Sequence, residues 1–344
     1  MVGIRLTVLG WFGHSNCGDE AFRYALRQLF PIGVEIKFVG TLLPNLDTIN
    51  AGDHLLIGGG NIVDRGFLKG LEKVKVPYSF VGVGIVPGND LSLLSGADNV
   101  IVRDSRSLEL AAAVYPQVVL SPDLAFTLRG CVDVAKELLE EESGVKFKRP
   151  VVGVFLNDCV SARFDSTILK FMECEKVKLE LARFLESLPY DVVFIPMSTA
   201  PPDDRRISLD VIGKMQKGYK YPCLTQIINP VKVLSIASAL DFAITMRLHA
   251  SIFCTIAGVP FIDILHHDKS KGYLNELGMP ELGIDFYELS LRILTEKFTM
   301  LEQNRESISR RLFVIAEENK RTLEGLIYNV HLSRRREDTP SQQS

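Results

Sequence analysis

Short runs of β-branched and other apolar residues recur along this chain with amphipathic stretches between them, and that alternation constrains the fold more than any other feature. The runs lie at Ile4 to Leu9, Val34 to Val39, His54 to Ile57, Ser79 to Ile85, Val100 to Val102 and Val118 to Leu120. Between them, Asp19 to Phe30 and Ser105 to Val114 are long enough for crossover helices. Parallel strands need such crossovers, and helices covering both faces of a sheet leave its strands as nearly continuous apolar runs. Residues 1–130 therefore predict a Rossmann-like α/β domain with a doubly wound parallel sheet.

The pattern breaks at residues 131–150, where Val132 to Glu142 reads as a polar helix running into Ser143-Gly144. A domain junction is expected there. The alternation resumes over residues 151–286, with strands at Val151 to Leu156, Val192 to Pro196, Leu224 to Ile228, Phe242 to Thr245 and Phe261 to Leu265, and helices around Val177 to Leu188 and Asp204 to Lys217. This predicts a second Rossmann-like domain. Residues 287–332 carry helical apolar stripes, and residues 333–344, with Arg334-Arg335-Arg336, read as a disordered tail. Two such domains facing one another would gather the carboxyl ends of both sheets around a shared cleft, where open parallel sheets bind ligands.

A chain of 344 residues, 47% of them hydrophobic, can bury two cores without disulfides. Its net charge of −3 gives no long-range field toward nucleic acid or anionic lipid, and no nucleic-acid partner is expected. The six cysteines, at 17, 131, 159, 174, 223 and 254, form no CxxC pair or zinc-finger spacing. With no secretory leader and no uncharged apolar run near ~20 residues, a cytoplasmic protein with at most peripheral membrane contact is expected.

Seven segments carry residues suited to chemistry. The first strand opens into Gly10-Trp11-Phe12-Gly13-His14-Ser15-Asn16-Cys17-Gly18-Asp19-Glu20-Ala21, neither a dinucleotide fingerprint nor a P-loop. Its glycines let main chain approach a ligand, with Gly13, Asn16 and Asp19 as candidate contacts; Asp19 can equally cap the following helix. The third strand enters Gly58-Gly59-Gly60, either an anion-holding loop or a tight turn. Arg103-Asp104 and Pro122-Asp123 close two further strands, and Arg103 and Asp123 either line the cleft or serve as local pairs and caps.

The most informative stretch is Phe242 to Pro260, where an apolar strand delivers Arg247 and His249 to the start of an apolar helix. A guanidinium, an imidazole and a helix N-terminus together make a good anion site. The plainer alternatives are an ion pair for Arg247 and a carbonyl bond for His249. In Pro201-Pro202-Asp203-Asp204, the acids, Asp204 among them, can hold sugar hydroxyls or start the next helix. Lys269 lies in His266-His267-Asp268-Lys269, a polar cleft-lining segment; adjacent residues rarely chelate one metal ion, and no metal is expected.

The glycine loops, Arg103-Asp104, Pro122-Asp123 and above all Met246-Arg247-Leu248-His249-Ala250 with Ala257-Gly258-Val259-Pro260 resemble the polysaccharide pyruvyltransferases, from about residue 4 to about residue 278. The resemblance implies a glycosyltransferase-B-like fold, a phosphoenolpyruvate donor handled by Arg247 and His249, a sugar acceptor that can be lipid-linked, and no cofactor. His267-Asp268 stands where the family often has an acidic residue and a proline, which bears on the acceptor. The competing classes are a nucleotide-sugar glycosyltransferase of similar architecture and a non-catalytic sugar-binding protein.

Overall fold

The computed structural model describes residues 4–30, 33–40, 45–158, 168–201, 203–225 and 229–337. The chain divides into two compact units, one of Met1–Trp11, Phe22–Leu128 and Ala316–Ser344, the other of Phe12–Ala21 and Arg129–Ile315.

In the first unit the elements run β1 (Arg5–Gly10), α1 (Cys17–Leu29, whose opening residues group with the second unit), β2 (Glu35–Gly40), α2 (Leu46–Asn50), β3 (His54–Gly58), β4 (Tyr78–Val83), β5 (Asn99–Val102), α3 (Ser105–Ala112) and β6 (Val119–Leu120). The sheet is ordered β2-β1-β3-β4-β5-β6, and its pairings are parallel. The central strand β3 is buried along its whole length, whereas the outer strand β2 alternates between exposed and half-buried. Leu55, Ile57, Phe80, Leu94, Val100 and Val102 form the middle of the core.

In the second unit the elements are α4 (Ala135–Ser143), β7 (Val151–Phe155), α5 (Ile168–Ser187), β8 (Asp191–Phe194), α6 (Asp204–Gly213), α7 (Pro230–Ala237), β9 (Phe242–Thr245), α8 (Leu248–Ala257), β10 (Phe261–Leu265), α9 (Asp268–Glu276), β11 (Gly283–Asp285), α10 (Leu291–Gln303) and the start of α11 (Arg305–Glu337). This sheet is also parallel, ordered β11-β10-β9-β7-β8. Counted from its own first strand, it repeats the order of the first five strands of the other sheet. In each, winding reverses beside the first strand, between β1 and β3 and between β7 and β9. Loops at the carboxyl ends of these pairs are where such sheets hold ligands.

The structure differs from the sequence expectation in four places. Phe12–Ala21 groups with the second unit rather than with residues 1–130, because Asn16 bridges Ser198, Cys17 N–H bonds Met197 O at 2.8 Å and Thr199 N–H bonds Ser15 O at 3.0 Å. The 131–150 segment is not a free junction: Cys131 N–H bonds Ser235 Oγ at 2.8 Å, and Glu142 pairs with Lys232 of α7. Of the strand expected at Leu224 to Ile228 there is a single parallel bridge, Phe194 to Cys223, and residues 226–228 lie outside the described residues. Helix α11 continues to Glu337, through residues expected in a tail; residues 338–344 lie outside the described residues.

The turn after β3 shows why glycine stands there. A Cβ at Gly58 would lie 2.2 Å from Phe22 Cζ and 2.3 Å from the Val81 carbonyl oxygen, and Gly59 and Gly60 have φ of +76° and +72°. Close packing against α1 and left-handed backbone together require these glycines. Gly58→Ala is expected to destabilise the protein by about 1–3 kcal/mol, as overpacked cores do. Urea unfolding measures it, and a change below 0.5 kcal/mol would contradict the packing.

Candidate functional site

At the carboxyl end of β9 the chain turns directly into α8, with Arg247 as its N-terminal flanking residue and His249 in its first turn. Arg247 makes no side-chain cap for the helix, since a guanidinium has only donors; it points to Asp204. Arg247 Nε donates to Asp204 Oδ2 at 3.0 Å and Nη2 donates to Oδ1, a two-pronged pair. The Asp204 carboxylate is fully buried. It also accepts the backbone N–H groups of Ser198 (3.0 Å), Met197 (3.2 Å) and Asp158 (3.4 Å). Burial pushes its proton affinity up from the ordinary aspartate value, opposed by Arg247 and these amides.

His249 is half-buried, with its ring against the first turn of α1. A Cβ at Gly18 would fall 2.3 Å from Nδ1 and 2.8 Å from Cγ. The Nδ1 side of the ring therefore packs on Gly18. Helix α1 is capped by Asn16, whose Oδ1 accepts Gly18 N–H at 3.0 Å, not by Asp19 as the sequence suggested; Asp19 lies in its first turn. Gly13 N–H donates to the buried Glu20 carboxylate at 2.7 Å. Ser15 sits at φ +54°, held there by the Thr199 bond.

Asn16, Asp204, Arg247 and His249 thus form one bonded and packed constellation in the second unit. Asp204, offered by the sequence as a holder of sugar hydroxyls, has both oxygens engaged by Arg247 and main chain; its neighbour Asp203 starts α6 by accepting Arg205 N–H at 3.0 Å. Lys269 is exposed in the first turn of α9. Nearby in sequence, His266 Nε2 is 2.8 Å from Asn157 Nδ2, joining the ends of β10 and β7. Among the described residues no group of His, Cys, Asp and Glu is arranged to hold a metal ion.

Below α8 lies a group that the sequence reading passed over. Asp263, in the middle of β10, is fully buried, and its Oδ2 accepts Ser251 Oγ at 2.8 Å. Ser251 Oγ is also 2.8 Å from Thr245 Oγ1. Among the described residues Oδ1 has no hydrogen-bond partner. Burial pushes the Asp263 carboxyl up to about 7, opposed by the Ser251, Ser270 and Thr245 hydroxyls. An acid in an otherwise apolar parallel strand was the signal in the sequence. Cys17 and Cys254 are equally buried, and burial raises both thiols far out of the reactive range.

The remaining expected residues form a separate cluster in the first unit. Arg103 Nη1 donates to Asp123 Oδ2 and its Nη2 donates to Asn61 Oδ1, both at 3.2 Å. Asp123 Oδ1 also accepts Ala125 N–H at 3.0 Å, and Asp104 caps α3 through Ser107 N–H at 2.7 Å. Gly84 N–H bonds Gly60 O at 2.9 Å, and a Cβ there would be 2.4 Å from Asn61 Oδ1, so Gly58 to Asn61, Arg103 and Asp123 share one carboxyl edge of the sheet. Asn61, directly after the three glycines, joins them through Arg103.

With these groups in place, the profile of the polysaccharide pyruvyl transferase family matches residues 16–268, most of the chain and both clusters. This chain belongs to the polysaccharide pyruvyl transferase family. It is 22% identical over 237 residues to the amylovoran biosynthesis protein AmsJ of Erwinia amylovora, a match covering 66% of this chain and 57% of that protein. The chain thus matches little more than half the length of that relative. Among solved structures, this pyruvyl transferase family member resembles a UDP-GlcNAc 2-epimerase from Neisseria meningitidis, with a TM-score of 0.64 at 10% identity over 96% of this chain and 99% of that one. It also resembles the E. coli ADP-heptose LPS heptosyltransferase II, with a TM-score of 0.52 at 13% identity over 88% and 100%. These show the fold, a pair of doubly wound α/β units of the glycosyltransferase-B kind. No described helix is long and apolar enough to cross a membrane.

Proposed function

We propose that this family member takes a pyruvyl unit from phosphoenolpyruvate and places it as a ketal across two hydroxyls of a sugar in a polysaccharide or its precursor, releasing phosphate. The observation that carries this reading is the pairing of Arg247 and His249 at the carboxyl end of β9, beside the winding reversal of the second sheet. Arg247 binds an anionic group of the donor. His249 gives a proton to the methylene carbon, which becomes the methyl, as a first sugar hydroxyl adds to the neighbouring carbon. The carbon–oxygen bond to phosphate then breaks, and a second hydroxyl closes the ketal. Of the two hydroxyl protons, one returns to His249 and one leaves with phosphate. Asn16, the Gly58-to-Gly60 loop, Arg103, Asp123 and Lys269 are proposed to bind substrate.

A polysaccharide acceptor is supported by the amylovoran biosynthesis role of AmsJ. The cytoplasm is the proposed setting, supported by free thiols at Cys17, Cys131, Cys174, Cys223 and Cys254. The test is phosphate release from phosphoenolpyruvate with lipid-linked and nucleotide-linked sugars as acceptors, followed by mass analysis. Acceptor-dependent release with a pyruvyl mass gain is expected. The absence of both phosphate release and phosphoenolpyruvate binding would sink the proposal and move the assignment to a nucleotide-sugar transferase; binding without product would favour a sugar-binding protein.

A further inference from the structure

We propose that Asp204 is the positioning residue of this site: it occupies one edge of the Arg247 guanidinium and leaves only the opposite edge, Nη1 with the outer hydrogen of Nη2, for an anionic group of the substrate. The inference rests on the proposed function only for the identity of that anion. A guanidinium has distinct hydrogen-bonding edges, and the edge formed by Nε and Nη2 is taken by both oxygens of Asp204. The carboxylate cannot swing away, because it is fully buried and accepts main-chain N–H groups from the ends of β7 and β8.

The same segment reaches the histidine. Met197 and Ser198, whose N–H groups Asp204 holds, pair with Asn16 and Cys17, and Gly18 next to them supports the imidazole of His249. One buried carboxylate thereby fixes the direction of the arginine and secures the strand end on which the opening of α1 rests. A lysine in place of Arg247 would place its charge against Asp204 with no second edge to offer, so positive charge alone cannot serve here.

The test compares Asp204→Asn and Arg247→Lys with the wild type. For Asp204→Asn, kcat/KM for phosphoenolpyruvate is expected to fall about 100-fold, mainly through KM, with the acceptor KM changed less than threefold. Arg247→Lys is expected to raise the donor KM as much as Arg247→Ala does. Independently of turnover, phenylglyoxal labelling of Arg247, followed by mass spectrometry, should be at least fivefold faster in folded Asp204→Asn, whose guanidinium is no longer held. An unchanged labelling rate in that variant, or a donor KM within threefold of wild type in Arg247→Lys, would overturn the proposal. If the wild type does not use phosphoenolpyruvate, the labelling comparison still decides the positioning role. Should Asp204→Asn not fold, the lysine variant decides it.

Discussion

His249→Ala is expected to lower turnover by about 10²- to 10⁴-fold, the range for loss of a general acid, with phosphoenolpyruvate affinity changed little because Arg247 remains. The same loss should be reachable without touching the imidazole. Alanine at Gly18 fits the backbone of α1 but puts a methyl 2.3 Å from the present position of Nδ1, so the ring must move. A displacement of that size costs on the order of 10²-fold. Gly18→Ala should then add almost nothing to His249→Ala, since both act through one ring. Steady-state kinetics on the two single variants and the double variant measure this. Full turnover in His249→Ala removes its assigned role; independent, multiplying effects would mean that Gly18 acts on something else.

The second large effect concerns stability. Asp263 holds its proton to about pH 7 in the folded protein, against an ordinary aspartate value of 3.8. Below pH 4 the carboxyl is neutral in both states and costs nothing. As pH rises from about 4 to 7 the unfolded chain ionises first, so folding stability falls; above 7 the loss is complete and constant. At about 1.4 kcal/mol per pKa unit, the penalty between pH 4.5 and 8 is on the order of 3 kcal/mol. Asp263→Asn cannot ionise. Its stability relative to wild type should therefore rise by on the order of 3 kcal/mol between those pH values, whatever fixed cost the amide brings. Chemical denaturation at both pH values tests this, and a difference flat to within 1 kcal/mol would mean that Asp263 is ionised at a far lower pH.

The strands that build both sheets were legible because a strand covered on both faces has to be apolar almost throughout, as Val151 to Phe155 and His54 to Gly58 are nearly so. Gly283–Asp285 was not, since a strand of 3 residues has no pattern to read. Helix α7 carries a readable start, Asn229 before Pro230. At the site, Arg247 and His249 stood out because local sequence sets a strand end against a helix start. The partner of Arg247 did not: Asp204 is 43 residues away, and only the fold of the sheet brings it there. Spacing likewise cannot show that a helix-starting Asp204 is buried while its neighbour Asp203 does the capping.

The order of strands in the second sheet also says when the site comes into being. β7 pairs with β9, in the register Val152 to Phe242, and the bond from Val151 N–H to the Asp241 carboxylate spans 90 residues. Closing so long a segment is an entropic cost met before the pairing returns anything, and parallel pairing of this kind is slow. On the ribosome, β7 waits for most of the second unit to be synthesised before its inner neighbour exists. Arg247 and His249 follow directly on the strand that makes that closure, so the chemistry of this chain is among the last things its folding delivers.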